Sequence, residues 1–358
     1  MRTGGRTHFQ NVGFGLLAVA VVACAAQPAR RGRPVEKKTN MTNETLRQFP
    51  LQNPAGVRSL RLLGRGSARL ALLTVLPNGE GVLAVAPLDG DSQSSTVLTG
   101  LRSPLSSWDA SDEPEGAIAL ASVVPESATV WLAYQTSRKS GTVNLSRQSG
   151  LRQVGSSRFA RGNSVGFPPI TAISTDPPAR RFVLFPRDAE GGFGPHKTLE
   201  MPAGRVVEAR LIGGAQGYFL ICRLFNREAI NPDSTGGRAD ANGEPMVPGI
   251  LYCSRLDSKF NTVEATVPCL GSRLVYEFDA DAAGDRVAII ATTDAGYVTA
   301  FGVPKQGAFA PETIGEETFA GNITSPAILT GEQGFRFALL KDAGRENAQI
   351  FIGSSLAR

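Results

Sequence analysis

Histidine is scarce: the 358-residue chain has two, His8 and His196. Histidine is the side chain best suited to moving protons near neutral pH. Mechanisms that need a histidine pair, or a metal held by three histidines, are therefore excluded. Gly162-Asn-Ser164-Val-Gly166 has the G-x-S-x-G spacing of a nucleophile elbow. That chemistry needs a strand before the serine and a helix after it. Here Phe167-Pro168-Pro169 follows, which cannot open a helix in that register, and His196, in a glycine-rich loop, is the only base left. The stretch reads as a Gly/Ser turn. Cys222, Cys253 and Cys269 lack the close C-x-x-C pairs of a zinc site. In an exported protein Cys222 and Cys253, on consecutive strands of one sheet, are expected to form a disulfide. Two acidic clusters, Asp109, Asp112, Glu113 and Glu115, and then Asp279, Asp281 and Asp285, have the chemistry of calcium ligands. Their spacing matches no EF-hand loop, so solvated acidic turns are expected. No catalytic residue, metal site or cofactor is assigned.

Residues 12–23 are apolar throughout and follow Arg2 and Arg6 with no acid between. Twelve residues of helix span about 18 Å, short of the roughly 30 Å hydrocarbon core of a bilayer. Residues 1–23 are thus expected to be a secretory signal peptide. The run ends Val21-Val22-Ala23-Cys24, which resembles a bacterial lipobox. The resemblance implies acylation of Cys24 and attachment to a membrane through that lipid, with Ala25 favouring the outer membrane. Plain secretion is the alternative. Residues 24–43, with the basic stretch Arg30-Arg31-Gly-Arg33-Pro-Val-Glu-Lys37-Lys38, read as a tether. The formal charge of +5, from 37 Lys and Arg against 32 Asp and Glu, lies in this leader and tether. Beyond residue 43 acids and bases nearly balance, which argues against a nucleic-acid-binding surface.

Forty glycines and 23 prolines favour many short elements over long helices. A pair of small, branched apolar strands recurs six times at a spacing of about 50 residues. The pairs are 69–75 with 81–86, 116–122 with 129–134, 170–174 with 181–185, 218–222 with 249–253, 286–291 with 296–301, and 335–340 with 349–353. Each has a weaker strand before it and another after. Four strands per unit and near-continuous apolar middle strands predict an all-β, six-bladed β-propeller over residues 44–358. Seven blades, with a degenerate one in 135–167, is the alternative. The last unit ends after its third strand. Residues 44–51 have strand character and are expected to supply the fourth, closing the ring. The single long step holds residues 226–248. There Arg227, Glu228, Asp233, Arg238, Asp240 and Glu244 mix both signs, and Met246 and Val247 add an apolar tip. This loop is expected to meet a protein partner.

The turn Asp281-Ala-Ala-Gly284-Asp-Arg-Val287, with Gly296-Tyr-Val-Thr-Ala-Phe301 after it, resembles a WD40-like repeat of the TolB-type bacterial propellers. The resemblance is one of architecture. Export, the repeat and the absence of histidine chemistry together point to a periplasmic or surface-exposed envelope protein that binds a protein partner. Sialidase Asp-boxes are absent. The enzymatic alternative is a calcium-dependent lactonase-type hydrolase, whose site would draw acids from separate blades.

Overall fold

The computed structural model describes residues 46–356, apart from 65–66, 90–94, 102–106, 115–116, 125–128, 136–139, 150–153, 163–166, 175–180, 200–204, 216, 226–237, 241–245, 304–312 and 332–333. These residues form six sheets, antiparallel apart from a two-residue parallel bridge on the fourth, arranged as the blades of a six-bladed β-propeller. Blade 1 runs through Val57–Leu63, Arg69–Val75, Gly81–Pro87 and Ser95–Leu101. Blade 2 is Ser107–Asp112, Ile118–Val124, Thr129–Gln135 and Ser140–Asn144. Blade 3 is Val154–Phe159, Ile170–Ser174, Arg181–Phe185 and Lys197–Leu199. Blade 4 is Arg205–Gly214, Gly217–Phe225, Ile250–Leu256 and Thr262–Pro268. Blade 5 is Phe278–Ala283, Arg286–Thr292, Gly296–Gly302 and Thr313–Thr318. Blade 6 is Ile323–Gly331, Gly334–Lys341, Gln349–Leu356 and, from the other end of the chain, Arg47–Phe49.

The six apolar strand pairs of the sequence are the second and third strands of the six blades. They are apolar on both faces because each blade is covered by a neighbour on either side; Gly296–Gly302 is buried at every position. The core is accordingly divided into six clusters, one for each pair of adjacent blades. Leu63 and Trp108 share the cluster of blades 1 and 2, and Ala121 and Ile170 that of blades 2 and 3. Phe182 meets the Leu220 cluster between blades 3 and 4, and Leu251 that of Ile289 between blades 4 and 5. Ile290 and Phe337 join blades 5 and 6, while Leu70 and Leu340 join blade 6 back to blade 1. Burying each such side chain contributes about 1.5–3 kcal/mol, so the ring is held by every blade contact in turn.

Closure follows the expected route. Arg47 pairs with Ile352 and Phe49 with Ile350, antiparallel, and Phe49 is buried in the cluster between blades 6 and 1. The seven-bladed alternative is not realised. Residues 135–167 provide the last strand of blade 2, a short helix Leu145–Ser149 and the first strand of blade 3.

Candidate functional site

The first strand of each blade lines the propeller axis, and four of these strands carry a charge between apolar neighbours: Leu60-Arg61-Leu62, Trp108-Asp109-Ala110, Ala209-Arg210-Leu211 and Phe278-Asp279-Ala280. Side chains alternate along a strand. The apolar neighbours therefore enter the clusters between blades while the charged residue points to the axis. Asp109 on blade 2 and Asp279 on blade 5 lie three blades apart, on opposite sides of the ring, and Arg210 from blade 4 donates to both. All three are at most 2% exposed, so these are fully desolvated pairs.

Two more guanidinium groups complete the set. Arg61 of blade 1 has its Nε 3.3 Å from Asp109 Oδ1 and donates to the carbonyls of Leu60 and Trp108. Arg161 follows the first strand of blade 3 and lies 3.5 Å from Asp109 and 3.9 Å from Asp279. It also donates to the carbonyl oxygens of Leu62 at 2.9 Å and Ile328 at 3.4 Å, thus reaching blades 1, 2, 5 and 6. Arg161 is placed by a two-residue parallel bridge, Arg161–Gly162 against Ile212 and Gly213 of blade 4. Gly162 has φ +91°, and a Cβ there would stand 2.2 Å from the Gly213 oxygen. Only glycine fits that approach.

The acids also fasten consecutive first strands to one another. Phe159 N donates to Asp109 Oδ2 at 3.0 Å, Ile328 N to Asp279 Oδ2 at 3.1 Å, Thr330 N to Asp281 Oδ2 at 2.8 Å and Ser325 N to Glu277 Oε2 at 2.6 Å. In every case the acceptor belongs to the preceding blade or the segment leading into it. Towards the start of these strands Arg158 Nη2 donates to Glu208 at 2.7 Å, and Arg223 lies 3.5 Å from the same carboxylate.

The axis is thus packed with four arginines, Arg61, Arg158, Arg161 and Arg210, and the acids Asp109, Glu208, Glu277, Asp279 and Asp281, with Arg223 of the second strand of blade 4 set behind Glu208. Burial alone would push Asp109 up, but Arg210, Arg161, Arg158 and Arg61 together hold it well below the usual carboxylate range. Asp279 is likewise lowered, by Arg210 and Arg161 against burial. Glu277 and Asp281 go the other way. Burial raises both, with Glu208 adding to the rise at Glu277, and Arg161 only partly offsetting it at Asp281. Desolvation is costly for each ion, and it is repaid only where partners are close and the remaining lone pairs are bonded.

Past Arg161, where the first strands end, the axis opens into a pocket of about 240 Å³. Leu62–Gly64 of blade 1, Ala110–Asp112 of blade 2, Phe159–Gly162 at the end of the first strand of blade 3, Asp281–Ala283 of blade 5 and Leu329 and Thr330 of blade 6 line it. Among the described residues no group of three or more His, Cys, Asp or Glu side chains is placed to hold a metal ion.

Several sequence expectations are corrected by these placements. Asp109, Asp112, Glu113, Asp279 and Asp281 are buried rather than solvated. Asp109, Asp112, Asp279 and Asp281 lie on first strands of blades, and of the second cluster only Asp285 sits in an exposed turn. Glu113 pairs with buried Arg187, which also lies over the rings of Phe167 and Phe193. Glu115 and Ser164 lie outside the described residues. His196 is exposed beside Lys197–Leu199, the outermost strand of blade 3, remote in the blade from the axial strand.

Cys222 and Cys253 do not form the expected disulfide; both are free and buried, as is Cys269. Cys253 pairs with Ile221 and Cys222 with Tyr252, so the two thiols project to opposite faces of the sheet. Cys222 enters the cluster of blades 3 and 4, and Cys253 and Cys269 that of blades 4 and 5. Burial pushes all three thiols up, Cys253 to about 12, which leaves them inert.

Of the residues expected on a partner loop, Arg227, Glu228, Asp233 and Glu244 lie outside the described residues, as Cys24 does. Arg238 is buried and not available to a partner: it donates to the carbonyls of Ile323 and Asp294 and lies over the Tyr276 ring. Asn322 donates to Ala239 O at 2.7 Å, and Met246 N to Arg238 O at 2.9 Å. The insertion is therefore pinned onto blades 5 and 6 through Arg238 and Ala239, and Met246 closes back onto Arg238. Met246 and Asp240 are half-buried, and Val247 is exposed.

The arginines of the axis were missed in the sequence. For Arg61 and Arg210 the available signal was the apolar–charge–apolar triplet recurring at the same point of four units; Arg158 and Arg161 lie outside it.

No protein-family model matches the sequence, and no curated protein matches it. Solved structures do resemble it in fold. A protein of unknown function from Dyadobacter fermentans superposes with a TM-score of 0.55 at 11% identity, covering 87% of this chain and 99% of that one. A triple arginine-to-alanine variant of AofleA from Arthrobotrys oligospora gives 0.51 at 11% identity, covering 88% and 91%. A neuraminidase-like protein from A/bat/Guatemala/164/2009 gives 0.50 at 12% identity, covering 88% and 95%. At these identities the likeness is one of fold.

Proposed function

We propose that this chain is an exported, lipid-anchored protein of the bacterial cell envelope whose propeller binds a protein partner without catalysing a reaction. The observation that carries the non-catalytic reading is the filled axis. The acids that converge there from blades 2 and 5, as a calcium-dependent hydrolase would require, face guanidinium groups instead. A cation at that point would have to displace arginines. Function does not follow from the fold, so the reading rests on this pairing, on the leader and lipobox-like residues 12–24, and on the mixed-charge insertion.

Two experiments test it. With Cys24 as the acylated residue, the native protein labels with a radioactive fatty acid and partitions into detergent, and Cys24→Ser abolishes both. Labelling that persists in the variant overturns the anchor. For the partner, residues 228–236 are replaced by a short Gly/Asn turn, which keeps Arg238 and its clamp. Loop shortening changes closure entropy by less than about 1 kcal/mol, so the melting temperature should hold while proteins cross-linked to the intact chain in envelope preparations are lost. Recovery of the same proteins by the shortened chain places the binding surface outside the insertion.

A further inference from the structure

We propose that the pocket at the end of the channel binds a small primary amine in its ammonium form, held by the open carboxylate oxygen of Asp281. The inference stands independently of the protein-partner reading.

Charge balance along the axis leaves one carboxyl over at this point. Asp109 and Asp279 are met by Arg61, Arg161 and Arg210, and Glu208 by Arg158 and Arg223. Arg161, the floor of the pocket, is therefore balanced by the two aspartates beside it. Asp112 on the wall is paired with Arg69. Asp281 has no cationic side chain within ion-pair distance among the described residues.

The geometry of Asp281 says where a countercharge would sit. The residue is 6% exposed and lies two positions past Asp279, on the same side of the first strand of blade 5. Its Oδ2 accepts from Thr330 N at 2.8 Å. Its Oδ1 accepts no hydrogen bond among the described residues and yet is not an enclosed atom; it opens on the pocket that Asp281 lines. A carboxylate set this deep is costly without a partner for its charge. An ammonium N–H directed at Oδ1 supplies both the countercharge and a hydrogen bond of the charge-assisted kind, roughly twice as strong as a neutral one. Ser111 Oγ donates to Asp112 O at 3.1 Å and keeps lone pairs that can accept a second ammonium proton.

Size and lining choose the rest of the ligand. The pocket holds about 240 Å³, the space of about eight waters at roughly 30 Å³ each. That is below the span of typical drug-sized sites, about 300–1,000 Å³, and suits a short stem or one ring. Leu63, Pro168, Ala283 and Leu329 line the remainder, so the stem is apolar. An anion would meet Asp281 as a like charge and find the Arg161 nitrogens engaged by Leu62 O, Ile328 O and Asp109. Calcium takes about six to eight oxygen ligands, whereas no group of three or more His, Cys, Asp or Glu side chains converges among the described residues. The pocket lies beyond Arg161, so an amine there displaces none of the axial guanidinium groups.

The test uses the full chain at neutral pH, with saturation-transfer NMR and titration calorimetry. The probes are n-butylamine, cyclohexylamine and benzylamine, each beside the alcohol and the carboxylate of the same carbon frame. At least one amine should bind, at least about tenfold more tightly than its alcohol, with the carboxylate weaker still. Asp281→Asn keeps the shape and an acceptor for Thr330 N while removing the charge, and should weaken amine binding at least about tenfold. Asp285→Asn, in the exposed turn of the same blade, should leave binding unchanged. Should Asp281→Asn fail to fold, the alcohol and carboxylate comparison on the parent decides. Failure of every amine at millimolar concentration overturns the proposal. So does an alcohol that binds as tightly as its amine, full affinity in a folded Asp281→Asn protein, or an equal loss in Asp285→Asn.

Discussion

Asp109→Asn should destabilise the protein by about 3–5 kcal/mol, the scale for removing one partner of a buried ion pair. The substitution keeps size and shape, and an amide oxygen can still accept from Phe159 N. The loss is the negative charge facing Arg210, Arg61 and Arg161. Arg210 and Arg61, 2% and 7% exposed, cannot turn out to water in compensation. At about 2 °C per kcal/mol for a domain of this size, the melting temperature should fall by about 6–10 °C. Asp285→Asn, in the exposed turn of blade 5, should change stability by less than about 0.5 kcal/mol. Arg61→Met in the Asp109→Asn background restores the balance of charge and should recover part of the loss, a coupling that a double-mutant cycle reads directly. A single variant that melts within about 2 °C of the parent, on the same scale, would falsify the view that the axis is held by charge. The pH dependence has a defined sign. The folded Asp109 and Asp279 carboxyls lie below their ordinary values, so their stabilisation is fully present above about pH 4, the unfolded value. It is lost as pH falls through the folded values. Acid unfolding should therefore set in below about pH 4, and Asp109→Asn should flatten it.

Removing residues 46–51 should cost as much or more. Phe49 is 4% exposed in the cluster joining blades 6 and 1, and losing a buried phenylalanine side chain costs about 3–5 kcal/mol. The same deletion strips the ladder from Gln349–Leu356 and leaves an open edge, which is also an aggregation hazard. Arg47, which donates to Leu88 O of blade 1 at 2.6 Å, goes with it. Phe49→Ala isolates the packing contribution, and deletion of residues 30–40 is the control. Circular dichroism melts and size-exclusion profiles decide. If the 46–51 deletion melts with the parent and stays monodisperse, closure does not depend on this strand.

The sequence alone determined the blade count, the middle strands and the closing segment. Strands covered on both faces must be apolar along their length, and that signal is local and repeats. It also assigned residues 44–51 to the last blade, because the last unit lacked a strand, and the strand found there is Arg47–Phe49. What it could not determine was the direction in which charged residues point once the blades meet. Asp109 and Asp279 are 170 positions apart, and nothing near either one names Arg210 as their shared partner. The acidic clusters looked like solvated turns for that reason. Tertiary structure also decided the cysteines. Cys222 and Cys253 sit on neighbouring strands, but antiparallel register sets which residues face each other, and here it places the two thiols on opposite faces. Arg238 turned inward for a similar reason: its carbonyl and aromatic partners, Ile323, Asp294 and Tyr276, come from two other blades. Period and apolarity are written along the chain, whereas the pairing of buried charges is fixed only when six blades bring their first strands to one axis.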